Sequence, residues 1–233
     1  MSSLTIDPSP APATTSALVP PSATASPGRK AVISREDIVA AALKLLGPHR
    51  SVSTLSLREV AREAGIAPNS FYRQFRDMDE LAVALIERAG QSLRLIIGEA
   101  RQRASAERSV VRSSVEAFME QLRSDDKLLQ ILLREGMVGS DAFKQAVDRQ
   151  LTYFEDELQR DLIRLAQANG TGLHEPALTA KAITRLVFTM GATAMELPAQ
   201  RHAEFTEQVV AMVRMIVVGT QAMAAMPSGA VVR

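Results

Sequence analysis

An all-α architecture is predicted by three observations. Apolar residues recur at three- and four-residue spacing from Ser34 to Met226, and no run alternates as a strand would. Gly and Pro fall mainly at joins, as in Gly47-Pro48, Asn169-Gly170 and Pro198. Ser34 with Asp37, Ser56 with Glu59 and Asp77 with Glu80 are spaced as capping pairs, in which a side chain satisfies a backbone N–H left open at a helix start. A chain of 233 residues, 46% hydrophobic and 23% charged, has material for one or two packed domains.

In chain order, residues 1–30 are dominated by Pro, Ser, Thr and Ala and are predicted to be a disordered arm, too poor in apolar surface to offset the entropy of ordering. A basic start leading into a continuous apolar run is missing, so no secretory signal is expected. Arg29 and Lys30 read either as a solvated end of the arm or as cations within reach of phosphates. The first helix opens at Ser34, carries Ile38, Val39, Ala42, Leu43 and Leu46 on one face, and ends at Gly47-Pro48. A polar loop, His49 to Thr54, follows.

The next stretch is the most informative. Ser56 opens a short helix whose Leu57, Val60, Ala61 and Ala64 face inward, and Gly65 ends it with a left-handed residue. Pro68 suits the first position of a second helix, which turns Phe71 and Phe75 inward and Asn69, Ser70, Tyr72, Arg73 and Gln74 outward. Two short helices joined by such a turn, with guanidinium, amide and hydroxyl groups on one outer face, suit phosphates and base edges in a major groove. Charge agrees: from Arg29 to Arg76 there are nine Lys or Arg against four Asp or Glu, although the whole chain carries only +1. Phosphate neutralisation is local, so the near-neutral total is no obstacle. The candidate double-stranded DNA contacts are Ser56, Arg58, Pro68, Asn69, Ser70, Tyr72, Arg73, Gln74 and Arg76.

Beyond it, Asp77 and Glu80 cap a long helix running to about Arg103, a rod from the reading pair into a second domain. Further helices are predicted near Glu107–Arg123, Asp125–Met137, Ser140–Gln167, Pro176–Glu196 and Gln200–Met223. The domains are therefore 31–80, a helix-turn-helix unit, and 81–226, a larger helical unit, with 227–233 a flexible tail. No stretch is read as the roughly 20 apolar residues of a membrane helix, and no membrane insertion is expected. The last two helices have wide apolar faces with small residues, suited to burial within one subunit or to a four-helix homodimer interface.

The pattern around Ala64-Gly65-Ile66, Tyr72, Phe75 and Leu81 resembles the amino-terminal domain of TetR-type repressors, specifically so over Ser34 to about Ala104. With Ile131-Leu-Leu-Arg-Glu135 it is similar to the FabR and DesT branch, repressors of unsaturated fatty acid synthesis. Where many members have a phosphate-contacting Lys, this chain has Met78, leaving Arg76 or another cation to serve. The resemblance implies a TetR-like fold with a three-helix DNA-binding domain and a helical effector-binding and dimerisation domain. It also implies a cytoplasmic homodimer on a palindromic operator, its reading helices about 34–36 Å apart, and long-chain acyl-CoA as effector rather than a bound cofactor.

Candidate effector lining is Phe118, Leu122, Leu129, Leu132, Leu133, Met137, Phe143, Tyr153 and Phe188, with Arg94, Arg101, Arg103, Arg108, Arg112 and Arg134 as cations for the phosphates. Composition alone does not separate a lined pocket from a filled core. Arg134-Glu135, charged within an apolar helix, reads as an outward salt-bridging pair, the commoner arrangement, or as a buried switch. A repressor answering a drug-like or signalling molecule is the alternative, and an all-α lipid carrier without a DNA role ranks lower. There is no Cys, no nucleophile elbow, no phosphate-binding Gly loop and no zinc-protease helix. No catalytic residues are assigned, and the isolated His49, His174 and His202 suggest no metal site.

Overall fold

The computed structural model describes residues 33–46, 50–103, 109–124 and 127–226. The chain divides into two units, Met1–Val32 and Ile33–Arg233, and the first lies outside the described residues. Also outside them are the expectations for the arm with Arg29 and Lys30, for Gly47, Pro48 and His49, for Glu107 and Arg108, for Asp125 and for the tail 227–233.

The described residues hold nine α-helices and no strand: α1 Arg35–Leu45, α2 Leu57–Glu63, α3 Pro68–Phe71, α4 Met78–Arg103, α5 Val110–Arg123, α6 Leu128–Val138, α7 Asp141–Ala168, α8 Pro176–Ala194 and α9 His202–Ala225. Local capping chemistry sets the starts of α1, α2, α4 and α7. Ser34 and Asp37 exchange the two bonds of a capping box at α1, Asp37 N to Ser34 Oγ at 3.1 Å and Ser34 N to Asp37 Oδ2 at 2.9 Å. At α4 the caps are staggered: Asp77 Oδ1 accepts from Glu80 N at 2.8 Å, but the Glu80 carboxylate reaches past it to Arg76 N, also at 2.8 Å. The segment predicted as a polar loop contains a 3₁₀ turn, Val52–Thr54, and buries Val52 and Leu55. Similarly, a 3₁₀ turn at Ala199–Arg201 precedes α9, because Pro198 sets an extended entry.

The 26-residue α4 spans about 39 Å at 1.5 Å per residue and packs on α1, α5, α6 and α7. Along it Leu81, Leu85, Ile86, Ala89 and Leu93 are fully buried, so one apolar cluster runs from α1–α3 to α5–α9. Close packing of this kind transmits displacement, since interiors have little room to absorb it.

One expectation is corrected by α9. The helical stretch Ala199–Ala225 is long and apolar enough to cross a membrane by length and composition. Its Phe205, Val209, Val210 and Val213 are buried within the bundle, where it packs on α5 and α8. The opposite side, including Met215, Val218 and Met223, is left exposed.

Candidate nucleic-acid interface

The geometry of the reading pair begins with its turn. Ser56 accepts from Glu59 N at 3.3 Å, and Glu59 Oε2 accepts from Ser56 N at 3.1 Å and from its hydroxyl at 2.8 Å, so α2 starts where the sequence predicts. These bonds, the Ser56 hydroxyl first, hold the Glu59 carboxyl below the usual range. At the other end Gly65 has φ +67°, and Ile66 N bonds back to Ala61 O at 2.9 Å, the six-residue closure of a left-handed helix end. A residue with a Cβ is strained there.

The second helix is shorter than predicted. α3 ends at Phe71, and the backbone continues as a turn in which Arg73 N, Gln74 N and Phe75 N donate to Ser70 and Phe71 carbonyls. Phe71 and Phe75 are still fully buried, stacked with centroids 5.6 Å apart. Truncating such a ring costs about 3–5 kcal/mol, which measures how firmly this segment is mounted.

Outside, Tyr72 is 59% exposed, and Pro68, Asn69, Arg73, Arg58 and Arg62 are exposed beside it, with Ser70 half-buried. Gln74 is a correction. Its Nε2 donates to Ile33 O at 3.0 Å and it is half-buried, so its amide braces the entry to α1 rather than facing a groove. The Ser56 hydroxyl is likewise engaged in its cap, although the residue is exposed. Arg76 is exposed, but its guanidinium donates to Asp77 Oδ2 at 2.9 Å, a contact that raises its already high pKa.

A residue that sequence reasoning missed organises the back of this face. Arg35 donates to Gln74 O at 2.7 Å and Glu80 Oε1 at 2.9 Å, and its guanidinium lies 4.0 Å over the Phe75 ring. It thereby ties α1, the end of the reading segment and α4 together. Nothing local to Arg35 signals this, because its partners are about forty residues on.

Away from the reading pair, α5, α7, α8, α9 and the end of α4 surround an apolar cavity of about 290 Å³. Phe118 and Phe188 line it, joined by Phe154 in edge-on pairs with centroids 5.3 Å apart. The other expected lining residues are elsewhere. Leu122, Leu129, Leu132, Leu133 and Phe143 are buried core outside the cavity wall. Met137 and Tyr153 are 59% and 50% exposed, on the outer faces of α6 and α7.

Among the candidate cations that are described, Arg101 borders the cavity. Its side chain is 9% exposed, with Nε 2.6 Å from Asp161 Oδ2 and Nη2 3.7 Å from Glu157 Oε2. Burial, its largest influence, lowers its pKa. Arg94 is held by Gln150 at 2.6 Å and Glu157 at 3.4 Å, Arg103 by Glu99, and Arg112 by Glu207 at 2.7 Å. Arg134 is half-buried, whereas Glu135 is 1% exposed and bonded to the Ser51–Val52 turn, against the expected outward pair.

Residues 38–85, from α1 into α4, match the family described as bacterial regulatory proteins, tetR family. Solved structures share the fold. A transcriptional regulator from Pseudomonas aeruginosa PAO1 aligns with a TM-score of 0.61 at 21% identity, covering 81% of this chain and 90% of that one. A TetR-family regulator from Syntrophomonas wolfei aligns at 0.65 and 17% identity, covering 79% and 95%. AibR, solved with isovaleryl coenzyme A and operator DNA, aligns at 0.56 and 14% identity, covering 77% and 97%.

Proposed function

We propose that this chain, a transcriptional regulator of the tetR type by its reading domain and fold, binds a palindromic operator as a homodimer and changes its affinity when an apolar ligand fills the large domain. The observation that carries the reading is the exposed surface of Asn69, Tyr72 and Arg73 on a segment pinned by Phe71, Phe75 and Arg35. Arg73 and Arg58 supply phosphate or guanine contacts, Asn69 and Ser70 supply amide and hydroxyl groups, and Tyr72 supplies a hydroxyl and a flat apolar edge. Arg76 reaches phosphate by exchanging its bond to Asp77. Two copies join through α8 and α9, whose exposed Leu178, Met215, Val218 and Met223 would otherwise face water.

For the ligand we put forward a fatty acyl thioester, consistent with the fatty-acid branch that the sequence resembles and with the coenzyme A thioester bound by AibR. The acyl part lies against Phe118, Phe154 and Phe188, and the anionic part approaches Arg101. A ligand shifts operator affinity only through unequal affinity for the two poses of the reading domain, ordinarily by about 1–3 kcal/mol. One observation favours a second reading, an uncharged drug-like effector: Arg94, Arg101 and Arg112 are already paired with carboxylates.

Selection of duplexes from a random pool, with the complex sized by sedimentation, tests the DNA reading. A palindromic product bound by two chains, with affinity falling steeply as salt rises, is expected. Failure to enrich any duplex would overturn it. Native mass spectrometry of purified protein separates the ligand readings, since a co-purified acyl-CoA supports the first and displacement by a neutral apolar compound alone supports the second.

A further inference from the structure

We infer that Glu135, on α6 of the large domain, is the positioning residue that holds the helix-turn-helix in its DNA-reading pose. The inference rests on the DNA reading above but on no particular ligand. Glu135 Oε1 accepts two hydrogen bonds, from Val52 N and from the Ser51 hydroxyl, both at 2.8 Å and both from residues more than eighty positions earlier. Its other oxygen, Oε2, is buried with no hydrogen-bond partner among the described residues. Burying a carboxylate while leaving one oxygen unanswered is costly, and an apolar side chain of similar size would avoid that cost. What the carboxylate provides instead is direction: two bonds that exist in one relative placement of α6 and the Ser51–Val52 turn.

The turn leads by further hydrogen bonds to the first helix of the reading pair. Thr54 donates its hydroxyl to Ser51 O at 2.7 Å, and Arg50 donates to Thr54 Oγ1 at 3.3 Å and to Thr54 O at 3.1 Å. The same guanidinium donates to Glu59 Oε2 at 3.0 Å, the oxygen that caps α2 through Ser56. At the opposite end of α6 the Lys127 ammonium donates to Leu46 O, the carbonyl of the residue that caps the end of α1. Thus α6 grips the connection between α1 and α2 at both ends. It also packs on α4 and α7, which contribute to the cavity wall, so a ligand that displaces those helices moves the grip. Apolar burial is non-directional, whereas a hydrogen bond weakens steeply with distance and angle, so these two bonds single out one placement.

The test uses the full chain and a duplex that the wild type has selected. Glu135→Ala is expected to weaken duplex binding about tenfold and to speed hydrogen exchange at the Val52 amide and in α2, with dimerisation and helix content retained. Glu135→Gln keeps one acceptor oxygen and is expected to restore Val52 protection and most of the affinity. Phe205→Leu, on the buried side of α9 and far along the chain from both sites, serves as a control, with an expected fall in melting temperature and wild-type affinity. Unchanged Val52 exchange in Glu135→Ala overturns the inference. So does Glu135→Gln behaving as Ala, or Phe205→Leu losing affinity in proportion to stability. If the wild type enriches no duplex, the DNA reading fails and the exchange data alone decide whether Glu135 positions the domain.

Discussion

Gly191→Ala tests how the cavity wall is built. Gly191 is buried on α8, and a Cβ there would lie 2.6 Å from Phe118 Cε1 and 2.8 Å from Cζ, closer than carbon atoms approach without displacement. Phe118 is itself 3% exposed and packed edge-on against Phe188, so its ring has to move as a unit, with the cavity as the available space. Overpacking of this kind costs about 1–3 kcal/mol, whereas replacing a helix-interior Gly by Ala returns about 1 kcal/mol. The net expectation is a loss of about 1 kcal/mol, or about 2–4 °C in melting temperature for a chain of this size. Melting is followed by circular dichroism at one protein concentration, because the proposed dimerisation would make the midpoint concentration-dependent. Phe118→Leu in the same background removes the ring that the methyl strikes. The double variant should therefore lose less than the sum of the singles, by about 1 kcal/mol or more. A Gly191→Ala protein that melts above wild type, with strictly additive behaviour alongside Phe118→Leu, would refute the packing argument.

Other outcomes follow from the same structure. Gly90→Ala should be more damaging, by about 2–3 kcal/mol, since its Cβ would lie 2.3 Å from the Gln150 oxygen that accepts from Arg94; chemical denaturation reads this. Arg73→Ala should weaken duplex binding about tenfold and lower the salt slope by about one at an unchanged melting temperature, and Tyr72→Ala should weaken binding likewise; unfolding of either would show that the face is packed. Gly65→Val should cost about 1–3 kcal/mol, because a β-branched residue resists positive φ, and retained full stability would remove the turn assignment. Asp37, Glu59, Asp77 and Glu80 all have carboxyls held below their ordinary range by hydrogen bonds at helix starts. Their contribution is therefore complete above the unfolded value of about 4 and is lost as pH falls through the lower folded values. Ser56→Ala removes the largest of the influences on Glu59, so its carboxyl should titrate at higher pH when followed by NMR.

Features decided within a few residues were legible from the chain. The boxes at Ser34 and Ser56, the Asp77 cap, the Gly65 turn and the Pro68 start each depend on partners no more than five positions away, so residue type and spacing specify them. Glycine at the left-handed position and serine or aspartate at a cap act through their own backbone neighbourhood, whatever the rest of the fold does. Burial of Phe71 and Phe75 was legible for a related reason, since helical spacing puts both rings on one side of their segment.

Gln74, Glu135 and the cavity lining are different. Periodicity turned Gln74 outward, but α3 stops at Phe71 and the carbonyl of Ile33 claims its amide. Helical spacing puts Glu135 four and three positions after the buried Ile131 and Leu132, but the groups that receive its carboxylate lie on the Ser51–Val52 turn, beyond any local reading. Apolar spacing marks Leu129 and Phe154 alike as buried; whether neighbouring side chains fill the space beside each, or leave it open, depends on how four helices approach one another. The hydrophobic run of α9 is equally ambiguous until α5 and α8 are seen to cover one side of it. Local hydrogen-bonding chemistry, acting over one helical turn, was therefore written in the sequence, whereas partners and voids created by long-range packing came into being only when the helices met.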